Sequence, residues 1–376
     1  MHTQKKAVGI FGKRSRKARR VLAVLLAVLA LLGVFYCLFA FSSIPLFVKG
    51  RHILIETAMS TMRHQWIATR FFPESVVDEV MQKVEEAQQE QVGVESTWED
   101  VPPPEEPELP PQEEPPSPEE TAFFQLFHEL DIESTKAYLK AHPEALTQGY
   151  ERLYINEAGL DDSGTSILTN QGDQVLAVDA ENGILLIRVK GTGFRGVLAI
   201  AKDPSQFSIC VAETLGEYGQ HAGTIARNNG GVLALTANAF EDYDEHGNPG
   251  KGNGGILSGY TMCSGMSYGT NLGWGWKRVE MRSDDRLYIV DAPTPVHEDC
   301  TDAAEFTPAL IIDGKVLVDE YCGWNAINPR ACLGQTDRGE IMMLCIEGRL
   351  TTSLGTGVVK CAEILANYSC VQGMNL

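Results

Sequence analysis

Ile341-Met342-Met343-Leu344-Cys345-Ile346 runs directly into Glu347-Gly348-Arg349, and Gly355-Thr356-Gly357 then opens Val358-Val359-Lys360-Cys361-Ala362-Glu363-Ile364-Leu365. A short continuous apolar run bounded by a charged glycine turn reads as a buried strand. The segment after it reads as a helix ending near Tyr368, because Val358, Cys361, Ala362 and Leu365 repeat at i, i+3, i+4 and i+7. That stripe is core, and Lys360, Glu363 and Asn367 mark the opposite face. A closing apolar stretch ends on Gly373-Met374-Asn375-Leu376. Strand, charged turn, glycine loop and helix start are together the parts of an anion-holding site, because unpaired amides at a helix N-terminus attract negative charge. Every helix has such a start, so this signal is weak by itself. A further loop is expected after Leu376, which would leave part of the site outside these residues.

Working outward, Val175–Val178, Ile184–Val189, Gly196–Ile200, Phe207–Ala212 and Val232–Thr236 read as strands, as do Leu287–Val290 and Ala309–Ile312. Helical spacing appears at Phe124, Phe127 and Leu130, within a piece from Phe123 to Tyr138, and again at about His221–Asn228. Strands outnumber interspersed helices, so the class is α+β (or α/β) with one substantial mixed sheet. This domain is expected over residues 121–376.

The preceding residues have a different composition. Residues 1–20 are basic without acids, and the 28 residues from Val21 to Val48 carry no charge. A bilayer core needs roughly 20 apolar residues, whereas a cleaved signal core runs about 7–15, so residues 21–48 read as an uncleaved anchor. The basic flank places the N-terminus in the cytoplasm and the rest outside the cell membrane, as a single-pass protein. Residues 49–92 read as a helical stalk whose heptads are irregular, which leaves the oligomeric state open. Residues 93–120 are rich in proline and glutamate, a composition that favours extended polyproline II over a core. At about 3.1 Å per residue this spacer could reach on the order of 80 Å.

The 376 residues are 44% hydrophobic and carry a formal charge of −19, which disfavours nucleic acid as a partner. Eight of nine cysteines fall outside the anchor without Cys-x-x-Cys spacing, so no zinc site is implied. Disulfides and buried free thiols both stay open. Three segments could carry chemistry. In Thr236-Ala237-Asn238-Ala239-Phe240-Glu241-Asp242, Asn238 suits a sugar hydroxyl, and Glu241 or Asp242 could serve as acid, base or cation ligand. A glycine loop follows, through Gly247, Gly250, Gly252, Gly254 and Gly255, with no nucleotide-binding pattern; a solvated turn explains the composition equally well. In Asn328-Pro329-Arg330, the arginine fork could take a phosphate through two parallel hydrogen bonds, although a surface ion pair is the simpler role. The third segment is the terminal unit, with Glu347, Arg349, Gly355, Thr356 and Gly357. His221, His246 and His297 have no metal spacing. Trp274 and Trp276 suit core packing or sugar stacking.

In order along the chain, these segments resemble the phosphodiester glycosidase family. The resemblance runs from about Gly183 onward and rests on Asp203-Pro204-Ser205, Gly216–Gln220, Ala237–Phe240 with its glycine loop, Phe306–Gly314, Asn328-Pro329-Arg330 with Gly334-Gln335, Glu347-Gly348-Arg349, and Met374-Asn375-Leu376. The family pattern differs at two places, with Asp-Gly-Arg where Glu347 begins the triplet and glycine where Ala239 stands. It also implies an Asp-Gly-Gly-rich continuation, so the domain is expected to be C-terminally truncated. Bacterial members are often exopolysaccharide-related, and the basic tail, anchor and acidic spacer suit a bacterial cell-envelope protein. The resemblance implies hydrolysis of a sugar-1-phosphate diester. Glu347, Glu241 and Asp242 would be catalytic; Asn238, Arg330, Arg349, Gly355, Thr356, Gly357 and Asn375 would bind substrate. No cofactor is implied, and a divalent cation is left open. A non-catalytic glycan-binding module and a cell-envelope assembly protein stay open as alternatives.

Overall fold

The computed structural model describes residues 7–60, 64–104, 116–157, 163–244 and 246–376. Its strands in chain order are β1 (Tyr154–Asn156), β2 (Val175–Asp179), β3 (Ile184–Gly191), β4 (Phe194–Ala201), β5 (Ala239–Phe240), β6 (Leu257–Ser258), β7 (Thr261–Cys263) and β8 (Met266–Tyr268). They continue as β9 (Lys277–Arg282), β10 (Leu287–Asp291), β11 (Cys300–Phe306), β12 (Ala309–Ile312), β13 (Lys315–Val316), β14 (Arg330–Thr336), β15 (Ile341–Ile346) and β16 (Cys370–Asn375). The helices are α1 (Ala7–Phe41), α2 (Pro45–Met59), α3 (Gln65–Phe71), α4 (Glu74–Glu90), α5 (Pro118–Leu126), α6 (Ile132–Ala141), α7 (Ala222–Asn228) and α8 (Val358–Ala366).

A nine-stranded sheet in the order β1-β2-β3-β4-β15-β14-β16-β12-β13 forms the backbone of the domain, and a five-stranded sheet in the order β10-β9-β11-β7-β8 packs beside it. The α+β class holds. In place of one mixed sheet there are two principal sheets, and every ladder among the described residues is antiparallel. One face of the large sheet is covered by α5, α6 and α8. There Phe124, Phe127, Leu198, Leu344, Cys361 and Leu365 are essentially inaccessible, each large side chain contributing about 1.5–3 kcal/mol through burial. The opposite face packs Leu333, Ile341 and Met374 against Val279, Met281 and Ile289 of the smaller sheet. Because successive strand residues alternate faces, β14 and β15 feed both layers at once.

Two expected strands are not strands. Phe207–Ala212 and Val232–Thr236 form no regular secondary structure and have no ladder partner. Their apolar side chains instead edge a cavity, which satisfies the same pattern without a sheet. Conversely, β9 and β11 were not legible from hydrophobicity because they bury charges in pairs: Lys277 with Asp291 at 2.5 Å, and Arg278 with Glu280 at 2.8 Å and Glu305 at 3.6 Å.

At the N-terminus, Ala18–Phe41 is an apolar helical stretch of mean hydropathy 2.9, long and apolar enough to cross a membrane and exposed along most of its length. The segment expected as a stalk is helical and lies folded against the domain. In α4, Val77, Val80 and Val84 form a buried stripe. α2 buries His52, Ile55, Glu56 and Ala58, and Glu56 Oε1 accepts from the Ala326 amide at 2.9 Å. Residues 93–98, expected within the spacer, also dock: Gly93 N donates to Asp291, Ser96 Oγ to Gln372, and the Trp98 indole to the Leu287 carbonyl. Most of the remaining proline-rich stretch, 105–115, lies outside the described residues.

Candidate active site

The terminal unit folds as the sequence implies, and beside it the arginine of Asn328-Pro329-Arg330 is turned inward. Arg330 begins β14 and is 8% exposed. Its Nε donates to the Thr356 carbonyl at 3.1 Å, and Nη2 donates to the Trp324 and Ala326 carbonyls, both at 2.6 Å. Burial lowers its pKa from the ordinary arginine value. The fork expected to grip phosphate donates to main chain in this structure. The start of α8 is likewise filled. Asn325 Oδ1 accepts from Val359 N at 3.4 Å and lies 1.9 Å from where a Cβ on Gly357 would stand. Thr356 and Asn328 exchange main-chain hydrogen bonds at 3.0 and 3.3 Å. The glycines serve this chain crossing: a Cβ on Gly348 would meet Pro329 N at 2.5 Å, and one on Gly355 (φ +108°) would meet Asn328 O at 2.3 Å. The glycine pattern expected to cradle phosphate therefore answers to close backbone approach.

Glu347 and Arg349 remain at the surface. Glu347 is half-exposed and pairs with Arg195 Nε at 2.5 Å. Arg349, at φ +58°, is exposed and donates Nη2 to Asn328 Oδ1 at 3.2 Å. Arg195 was invisible to sequence reasoning, because only the β4–β15 register, with Gly196 opposite Ile346, brings it beside Glu347.

A cavity of about 770 Å³ opens on the other face of the same sheet from α8. Its floor includes Leu333, Met343 and Leu376; its walls include the Phe207–Ala212 strap, His221 ahead of α7, and Asn238. By strand alternation Met343, Cys345 and Glu347 point to one face, so the Arg195–Glu347 pair is on the cavity's side of the sheet but outside the residues that line it. Asn238, at φ +61°, donates Nδ2 to Thr261 Oγ1 at 2.7 Å and Tyr260 O at 3.3 Å, and its Oδ1 accepts from Glu305 N at 3.2 Å. Three of its hydrogen-bonding positions are thus used to clasp the loop onto β7 and β11. Asp242 Oδ1 accepts from Gly252 N at 2.9 Å and closes the glycine loop; neither it nor the exposed Glu241 lines the cavity. Asn375 is buried on β16, donating Nδ2 to Thr307 O at 2.7 Å. The structure therefore separates the expected site into a filled crossing at Arg330, a surface pair of Glu347 with Arg195, and a cavity edged by Asn238.

Glu305 was also missed. It is fully buried beside Asn238, accepts from the Tyr260 and Leu272 amides at 2.9 Å, and has its pKa raised by burial. Trp274 is 75% exposed, while Trp276 packs edge-on against Phe306 and Trp324. His128, Glu129 and Glu340 come close enough to hold a metal ion. Lys202 Nζ already neutralises them, at 2.6 Å from Glu129 and 2.8 Å from Glu340. That cluster adjoins the start of β15, a six-residue strand away from Glu347, or about 20 Å. It is a salt-bridged joint none of whose residues lines the cavity.

Comparison with known proteins bears on this region. Residues 223–376 match the family model described as phosphodiester glycosidase, so this stretch carries that domain signature. No curated protein matches the chain. Among solved structures, the catalytic domain of zebrafish N-acetylglucosamine-1-phosphodiester alpha-N-acetylglucosaminidase, auto-inhibited by its pro-peptide, is 14% identical with a TM-score of 0.40, covering 51% of this chain and 69% of that one. A hypothetical protein from Synechocystis is 11% identical with a TM-score of 0.34, covering 54% and 57% respectively. An exported protein from Burkholderia pseudomallei is 11% identical with a TM-score of 0.34, covering 49% and 68%.

Proposed function

We propose that this chain is a membrane-anchored phosphodiester glycosidase that hydrolyses a sugar-1-phosphate diester in a cell-surface glycan, with the domain outside the membrane. The observation that carries the reading is the cavity itself: apart from the strap and the residues leading into α7, its walls are drawn from the stretch matching the phosphodiester glycosidase family. Its volume suits a sugar unit, and its mix of apolar floor and converging polar groups is that of a ligand site. A phosphodiester leaves readily, so the chain's task is to hold the phosphate and stabilise an oxocarbenium-like carbon. Arg195 and Arg349 are the surface cations near Glu347 that would meet the phosphate, and Glu347 would supply the carboxylate that supports the sugar or orients water. His221, exposed on the wall, can donate or accept a hydrogen bond to the sugar. The Ala18–Phe41 helix serves as the anchor, and no cofactor is assigned.

Full-length protein in detergent, incubated with sugar-1-phosphate diesters varied in sugar and alcohol, should release free sugar and phosphomonoester together. Glu347→Gln should lower kcat by about 100-fold or more; unchanged turnover removes Glu347 from the mechanism. A second reading, a glycan-binding module without turnover, draws support from the occupation of Arg330 and the α8 start by main chain and Asn325. Saturable glycan affinity with no bond cleavage would favour it.

A further inference from the structure

The strap Phe207–Ala212 walls the cavity without a ladder partner, so something other than sheet pairing must fix it. One carboxylate oxygen does part of this. Asp302 Oδ1, on β11, accepts from Ile209 N at 2.9 Å and from Ser264 N at 3.2 Å. Two amides on one oxygen lie within about 6 Å of each other, so the strap residue after Ile209 and the β7 residue before Ser264, Cys210 and Cys263, belong to segments held side by side. The Cys263 thiol meets both the Cys210 thiol and the Val211 amide. Both cysteines are half-exposed free thiols in this structure, within reach of small reagents. The stretch between them contains α7, Val232–Thr236, Asn238 and the glycine loop, which is most of the cavity wall.

We propose that Cys210 and Cys263 are a disulfide-forming pair that locks the strap onto β7 and fixes the cavity wall, so that access to the cavity depends on redox state. The functional weight of the lock rests on reading the cavity as the substrate site; the bond itself does not. The chemistry is thiol–disulfide exchange with a small-molecule disulfide. One protein thiolate attacks a sulfur of the reagent and releases one thiol. The second protein thiolate then attacks the mixed disulfide and releases the other. Two protein thiols and one reagent disulfide become one protein disulfide and two reagent thiols, with both electrons and both protons passing to the reagent. An extracytoplasmic domain would meet such oxidants. Cys332 and Cys361 also touch, but both are fully buried between the large sheet and α8 and provide an internal control.

The test equilibrates full-length protein in detergent with oxidised and reduced glutathione, alkylates it, and maps peptides by mass spectrometry without reduction. The proposal expects a linked peptide joining Cys210 to Cys263, Cys332 and Cys361 left as thiols, and amide exchange across 207–212 slowed at least tenfold. Cys210→Ser should abolish both the link and the slowing. Separate alkylation of both cysteines under the most oxidising mixture, a glutathione adduct that never closes, or a link to another cysteine would each overturn the proposal. A closed link with unchanged exchange at 207–212 would overturn the lock. A closed link with slowed exchange in a chain that cleaves no phosphodiester would stand, and would sink the catalytic reading alone.

Discussion

Replacing Arg330 with alanine separates a residue that grips substrate from one that holds the fold. The sequence places this arginine as a phosphate ligand, for which removal should cripple turnover and spare folding. In the structure it is 8% exposed and gives three hydrogen bonds to the carbonyls of Trp324, Ala326 and Thr356. A hydrogen bond from a charged donor contributes about 1.5–3 kcal/mol, and the Trp324 and Ala326 carbonyls left without it add to the loss, whereas Thr356 O keeps the Asn328 amide. Removing a desolvated cation returns part of that cost. The balance is a destabilisation of about 3–5 kcal/mol. Arg349→Ala, at an exposed site with one hydrogen bond at 3.2 Å, should change stability by about 0.5 kcal/mol or less. Urea unfolding followed by tryptophan fluorescence measures both, with the helical and sheet transitions tracked in parallel by circular dichroism. Arg330→Ala within about 1 kcal/mol of the parent, with turnover lost, would refute the structural assignment and restore the phosphate role.

Other perturbations follow from the same geometry. Glu56 is buried, and its pKa is pushed up from 4.5 to about 7, chiefly by desolvation. The folded form therefore keeps a proton that the unfolded chain loses, and stability contributed by this group falls as pH rises from about 4.5 to about 7, by roughly 3 kcal/mol in all. His52, whose pKa is lowered by burial, acts oppositely: its contribution is lost as pH falls through its ordinary value of 6.5. Glu56→Gln should thus raise the melting temperature at pH 8 and leave it nearly unchanged at pH 4; equal shifts at both would contradict the buried-carboxylate account. Gly357→Ala drives a Cβ into Asn325, 1.9 Å from its Oδ1, and should cost about 1–3 kcal/mol in denaturant unfolding; a neutral result would mean that Asn325 does not cap α8. Asn238→Gly keeps the left-handed backbone while removing the clasp to Thr261 and Glu305. It should loosen the cavity wall, seen as faster amide exchange at 238–240 and a raised KM, and unchanged values for both would exclude the clasp.

Local periodicity made much of this fold legible. The α8 stripe Val358, Cys361, Ala362 and Leu365 is buried throughout, and the run Ile341–Ile346 is the strand it resembles. Extended propensity could not say whether a strand finds a partner, so Phe207–Ala212 and Val232–Thr236 read like β3 and β4 yet became cavity wall. Charge misled in the other direction. Lys277, Arg278 and Glu280 look like a solvated face, and their burial depends on partners at Asp291 and Glu305 that only the tertiary fold brings near. The candidate site was half legible for the same reason. Asn238 stands at the cavity, while Glu347 lies on the same sheet face outside its lining, and Arg195 reaches Glu347 across 152 positions of sequence. Nothing about Asn-Pro-Arg announces that three carbonyls converge on that arginine.

The central claim is that the cavity between the strap and the large sheet is where a sugar-1-phosphate diester is cleaved. Steady-state hydrolysis by the full-length protein, compared with a Leu235→Trp variant that fills the cavity, tests it most directly. The account predicts saturable release of sugar and phosphomonoester by the parent, and at least a tenfold rise in KM or loss of turnover in the filled variant with its fold retained. Equal kinetics in the two proteins, or no cleavage of any such diester by the parent, would contradict it.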